Sequence, residues 1–281
     1  MTGAWTSKVL LLTAALTAGC ANNQAPAGEP LDLCRYAIVF ADEFDDLSIA
    51  PRVLGNERWT AHTPWNGDFG DAVFTDPRAG GPFAVRDGKL LITASKDGEG
   101  KWRSGLIAAA DASGKGAGVQ YGYFEARMKL PPGPGTWPAF WLISLKPAED
   151  KRPKVEIDVI EYYGHRTDRY HVTGHVWYSR PDQDKTYRSG SRVPVEPGSL
   201  TGAFHTYGVR VEPGTITYYL DRKPVWQQPT PPEHQTPLYP LVNLALGSGY
   251  PIDETPDPSV LEVDYVRVYR PIEGAAGECR D

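Results

Sequence analysis

Three carboxylates fall within one short apolar stretch, Val155-Glu156-Ile157-Asp158-Val159-Ile160-Glu161. Side chains of a regular strand alternate between faces, so Glu156 and Asp158 share a face and Glu161 points the other way. One extra residue, a β-bulge at Val159-Ile160, returns Glu161 to the face of the other two while Val155, Ile157 and one of the bulged pair pack inward. The outer Glu Cα atoms then lie roughly 13 Å apart at about 3.3 Å per residue. Side chains leaning inward bring the carboxyl groups to roughly 5–6 Å, the separation of retaining glycoside hydrolysis, whereas inverting enzymes leave about 6.5–9.5 Å for a water.

Clustered carboxylates cannot all ionise at one pH, and that inequality yields an acid and a base from one side-chain type. The arrangement suits Glu156 as nucleophile, Glu161 as acid/base with a raised pKa, and Asp158 as the group that positions the nucleophile; spacing alone does not set the direction along the strand. An acidic edge strand guarding against aggregation is the competing reading. The flanking segments favour the first, because Trp137, Ala139, Trp141 and Ile143 share one face before the acids, and His171, Thr173, His175 and Trp177 share one face after them. An indole covers the C–H face of a sugar ring and keeps an N–H for a hydroxyl. One of these three Trp is expected in the core, His175 suits a substrate or carboxylate contact as well as a structural role, and His171 suits the structural role.

The elements that must position these groups read as short strands between turn signals: residues 36–44, 89–95, 122–130, 136–144, 154–163, 171–179, 205–212, 215–221, 238–246 and 260–269. Eight Trp, fifteen Tyr and eight Phe beside 29 Gly and 26 Pro fit the same picture of strands and turns. The expected fold is all-β, a sandwich or barrel in one domain over 31–281, since no linker, charge block or repeat divides that span. A net charge of -6 without a basic stripe argues against nucleic acid as a partner.

At the N-terminus, Lys8 precedes an apolar run from Val9 to Ala18, the length of a signal-peptide core and short for a membrane span. Residues 1–20 are read as a leader of lipoprotein type ending at Cys20, with simple secretion as the alternative, and 21–30 as a flexible tether. Cys34 and Cys279, near the two ends of the mature chain, suit a disulfide in an oxidising compartment, two unpaired thiols being the alternative. The protein is expected in the cell envelope, at the outer membrane or cell surface, or secreted, and to act as a monomer touching membrane only through its anchor.

The motifs FADEFD (40–45), YGYFEARMKLP (121–131), GTWPAFWL (135–142), EIDVIE, FHTYGV, NLALG and VDYVRVY, in that order, resemble glycoside hydrolase family 16, the bacterial β-glucanase and laminarinase family. The resemblance implies a concanavalin A-like jelly roll of two curved antiparallel sheets with an open cleft, and endo-hydrolysis with retention. It implies Glu156, Asp158 and Glu161 as the catalytic acids, and Asn66, Arg103, Trp137, Trp141 and His175 as substrate contacts. It also implies a structural calcium on the convex side, at Glu43, the Gly88 carbonyl and Asp264; a surface charge or a turn hydrogen bond explains either acid equally well. No cofactor is implied for catalysis. Residues 62–77 depart from the glucanase pattern toward enzymes acting on bacterial exopolysaccharides such as succinoglycan.

The polymer is therefore expected to be a β-1,3- or β-1,3/1,4-glucan or a related bacterial exopolysaccharide, cleaved through a covalent glycosyl-enzyme. A transglycosylase uses the same intermediate, and a non-catalytic carbohydrate-binding jelly roll uses the same fold. Retention of all three acids speaks against the pure binder.

Overall fold

The computed structural model describes residues 31–65, 67–179 and 187–272. The leader, the tether, Cys20, Asn66 and Cys279 lie outside the described residues, and with them the lipidation site, one substrate contact and the proposed bridge to Cys34.

The strands form two stacked sheets. One contains ten strands and is centred on Gly122–Lys129 and Ser259–Pro271, which pair with each other. The other contains eight, in the order Tyr187–Pro194, Arg169–Trp177, Lys154–Glu161, Thr136–Ser144, Leu238–Leu246, Leu106–Ala108, Trp59–Ala61 and Ile49–Ala50. Every segment expected as a strand is one, to within two residues at its ends. The sheets are mixed rather than purely antiparallel, because each carries a short parallel pair at one end: Val73–Phe74 with Trp102–Ser104, and Ile49–Ala50 with Trp59–Ala61.

Alternation explains the layering. From the eight-stranded sheet, Phe140, Leu142, Val155, Ile157, Tyr170, Val172, Val176, Val242 and Leu244 point into the space between the sheets, where they meet Phe124, Ala126, Met128, Val209, Ile216, Val263 and Val266 of the other. Each such aliphatic or aromatic side chain contributes about 1.5–3 kcal/mol of burial before conformational entropy is charged against it. The intervening residues of the eight-stranded sheet make a second apolar cluster on its outer surface, including Leu106, Ala139, Trp141, Ile143, Tyr239 and Leu241. That outer surface is the floor on which the three acids stand.

The FADEFD motif supplies a buried polar anchor. Asp42 is buried and accepts from Arg58 Nε (2.8 Å), the Trp59 indole N–H (2.6 Å) and the Phe44 backbone N–H (2.9 Å). A buried carboxylate is tolerated only when its lone pairs are used, and removing it leaves the Trp59 indole and the Phe44 N–H without their acceptor, while Arg58 keeps Asp46. Asp42→Ala is expected to cost about 2–4 kcal/mol, read as a lower urea midpoint at unchanged m-value; a loss below about 0.5 kcal/mol would mean that water replaces the carboxylate.

Candidate active site

The acid-bearing strand Lys154–Glu161 is bulged where the spacing required it. Against Thr136–Ser144, Phe140 pairs with Ile160 and Trp141 with Asp158, so Val159 is skipped. Against Arg169–Trp177, Glu156, Asp158 and Glu161 pair with His175, Thr173 and His171, residues that alternate strictly. All three acids therefore share the floor face. Both bulged residues, Val159 and Ile160, are buried in the inter-sheet core, where one of them was expected. Two apolar side chains thus anchor the distortion from below.

Glu161 is held from one side. The Trp137 indole N–H (3.2 Å) and the Tyr163 hydroxyl (3.1 Å) both donate to its Oε1, and the two rings stack at 6.0 Å between centroids. Oε2 receives neither bond. Tyr163 was missed by the sequence reading, although it lies two residues beyond Glu161 and so on the same face by alternation.

At the other end, His175 Nε2 approaches Asp158 Oδ2 at 3.3 Å. Trp177, 43% exposed, stacks on the His175 ring at 5.2 Å. Burial, reinforced by the neighbouring Asp158 charge, pushes Glu156 up to about 8, with His175 and Trp177 pulling the other way. Burial and the charge of Glu161 push Asp158 well above the usual carboxylate range, while burial lowers His175. The His175–Asp158 approach is therefore a contact between groups that favour their neutral forms, not a strong ion pair. The elevation falls on Glu156 and Asp158, with burial as its largest cause at both.

The remaining expected contacts divide. Trp137 sits beside Glu161. Trp141 is 5% exposed, its indole N–H spent on Asn243 Oδ1 (2.8 Å), beneath Trp65 and Phe69. It is the core member among the three Trp, a shield under the floor rather than an open sugar platform. Arg103 directs its Nε to Asp97 across the turn after Lys89–Lys96, at 2.7 Å, and so is committed locally.

The segment 62–77 that departs from the glucanase pattern lies over the outer apolar cluster, with Trp65 edge-on to Trp141 and Phe69 packed on both Trp137 and Trp141. His62, at a positive φ of 67°, clasps this loop by contacting Asp68 (2.6 Å) and Asp76 (3.1 Å). Its hydrogen bond to the Asp68 carboxylate holds its pKa above the ordinary imidazole value.

The proposed calcium ligands do not fit a cation. Both oxygens of Glu43 accept from Arg267 (2.7 and 2.8 Å), and Asp264 accepts from Arg127 (2.6 Å). Hard cations need six to eight oxygen ligands, and guanidinium groups hold these two carboxylates in place of one. Among the described residues, Glu156, Asp158 and His175 alone bring three ligand-capable side chains together, within 4.8 Å of one another; they belong to the acid cluster.

Acids lifted onto the apolar outer face of a β-sandwich, with indoles at both ends of the row, mark the class of glycan-cleaving jelly rolls. The chain belongs to glycosyl hydrolases family 16, whose profile matches residues 85–266. It is 30% identical over 265 residues to the endo-1,3-1,4-beta-glycanase ExsH of Rhizobium meliloti (strain 1021), covering 85% of this chain and 53% of that one. It is 29% identical over 257 residues to the beta-glucanase of Rhodothermus marinus, covering 85% and 86%. The chain thus spans about half the length of ExsH and most of the beta-glucanase. The laminarinase catalytic domain of Thermotoga maritima MSB8 shares the fold, with a TM-score of 0.65 at 24% identity over 84% of this chain and 99% of that one.

The raised Glu156 gives a stability signature. Its proton is bound more tightly in the folded chain (about 8) than at its ordinary value of 4.5, so its contribution is complete below pH 4.5 and is lost as pH rises toward 8. Glu156→Gln removes that loss. Its melting temperature is expected to exceed wild type by several degrees at pH 8.5, at roughly 2–4 °C per kcal/mol, and by much less at pH 4.5. A difference that is flat across this range would show that Glu156 titrates normally.

Proposed function

We propose that this chain hydrolyses internal bonds of a β-1,3- or mixed β-1,3/1,4-linked glucan, or of a related bacterial exopolysaccharide, with retention of configuration. The observation that carries the reading is the bulge, which sets Glu156 and Glu161 on one face across Asp158. Glu156 attacks the anomeric carbon and forms a glycosyl-enzyme. Glu161 delivers a proton to the departing oxygen, then takes one from the water that releases the sugar. Its Oε2, bonded to neither Trp137 nor Tyr163, is the oxygen left to carry this exchange in the proposed mechanism.

Asp158 has the second role. Asp158 is buried deeper than either glutamate and its carboxyl is pushed well above the usual carboxylate range, which favours its neutral form, and a neutral Asp158 removes the charge that opposes ionisation of Glu156. The names of ExsH and of the Rhodothermus marinus beta-glucanase support a glucan-like main chain. Export follows the leader reading, with an anchor at Cys20 and a Cys34–Cys279 bridge as its finer parts; intact mass of the mature protein, with and without reduction and alkylation, tests both.

A reducing-end assay against laminarin, lichenan, agarose and succinoglycan tests the activity. Wild type is expected to release ends from at least one polymer, and Glu156→Gln to lose at least ~10³-fold in kcat. Binding of every polymer without cleavage would identify a lectin-like jelly roll, and products longer than an oligosaccharide substrate would identify a transglycosylase. Glu161→Ala is expected to fall by ~10²–10⁴-fold on unactivated glycan and to regain turnover with azide on a substrate with a good leaving group, yielding a β-glycosyl azide. Azide products of inverted configuration would contradict retention.

A further inference from the structure

The rows that carry the acids continue across two more strands. One row runs Ile143, Glu156, His175, Arg188; the next Trp141, Asp158, Thr173, Gly190; the third Ala139, Glu161, His171, Arg192. Directly paired residues point to the same side of a sheet. Arg188 and Arg192 therefore stand on the cleft face of the edge strand Tyr187–Pro194, two strands from the glutamates, or roughly 10 Å at about 4.8 Å per strand. Gly190 between them adds no side chain, so the row that ends beside Asp158 and Thr173 stays at backbone height.

Both arginines are exposed, and among the described residues neither forms an ion pair or hydrogen bond with a side chain. Their neighbour Arg169 differs, since Asp168 occupies its guanidinium at 2.6 Å. Other unpaired arginines, such as Arg86 and Arg270, are exposed on the opposite sheet. The fields of the cleft pair reach the site: Arg188 acts on Asp158 and His175, and both act on His171.

A neutral glucan offers hydroxyls and C–H faces, which indoles, imidazoles and carboxylates already match. A guanidinium matches something else, the planar or near-planar fork of a carboxylate or sulfate oxygen pair. On a protein of net charge -6, two cations beside the acid cluster also locally reverse a field that would otherwise repel a polyanion. We propose that Arg188 and Arg192 form an anion-reading rim of the cleft, and that the polymer cleaved here carries carboxylate or sulfate groups next to the residues seated over the acids. This rests on the carbohydrate reading above and narrows its substrate class. Charges also guard edge strands against pairing, but that role confers no selectivity among glycans.

The test uses the full chain as the Glu156→Gln variant, which binds without turnover, titrated by intrinsic Trp fluorescence. The probes are unsubstituted mixed-linkage β-glucan and its carboxymethylated and sulfated derivatives of matched length. The variant is expected to bind one derivative at least ~10-fold more tightly than the parent glucan in 20 mM salt, with the advantage shrinking several-fold in 500 mM salt as screening sets in. The arm that shows the preference distinguishes carboxylate from sulfate. Adding R188Q and R192Q is expected to bring the ratio near one, while R86Q with R270Q, an equal change of net charge on the opposite sheet, leaves it in place. Equal binding of all three polymers, or a preference that survives R188Q/R192Q, overturns the rim but not the glucan-binding site. Absence of binding to any probe, together with absence of cleavage by wild type, overturns the carbohydrate reading and the rim with it.

Discussion

A strand can offer its residues to only two faces, and one inserted residue between Asp158 and Glu161 determines which face the second glutamate takes. The bulge is not a local blemish on a finished sheet. Both neighbouring strands register around it, and both of its residues are driven into the core between the sheets. Unbulged, the strand would turn Glu161 into that core, where an unpaired carboxylate costs several kcal/mol. The apolar character of Val159 and Ile160 and the acidity of Glu161 therefore enforce the same backbone path from opposite sides.

The same geometry places stability and chemistry in opposition. Burial in an apolar floor separates the protonation behaviour of the acids, and it also makes their ionised forms expensive. The structure limits this conflict by treating the ends of the row differently. Glu161 receives two donors on one oxygen, whereas Glu156 and Asp158 lie beside an imidazole that burial keeps toward its neutral state. Asymmetry between two glutamates on one strand thus arises from their neighbours, since the strand itself treats them alike.

Much of this could be read from residue order. Alternation in 136–144 and 171–177 gave the shared faces, and the five-residue spacing from Glu156 to Glu161 demanded the bulge. What escaped the reading depends on partners distant in sequence. Trp141 looked like a sugar platform because nothing near it announces that Trp65 and Phe69 return to cover it. Glu43 and Asp264 looked like cation ligands because Arg267 and Arg127 reach them only through sheet pairing. Tyr187–Pro194 and Lys223–Pro229 were not anticipated as strands: the first is polar with a central glycine, the second holds two prolines, and each lies at a sheet edge where ladder bonds are needed on one side only.

The two apolar clusters of the cleft-side sheet are physically separate, one inside the sandwich and one on its outer surface. The 62–77 loop packs Trp65, Phe69 and Phe74 on the outer one, reaches the inner one through Ala72, and is closed on itself by His62 between two aspartates. The outer part of this loop behaves as a cassette. Replacement of the part before Asp71 would leave the packing between the sheets and the bulge beneath the acids in place, whereas Ala72 and the strand Val73–Phe74 tie the rest of the loop into the fold. A lineage built on this scaffold can accordingly change the sugar it grips by exchanging the outer part of one loop, while the machinery for breaking the bond is inherited unaltered.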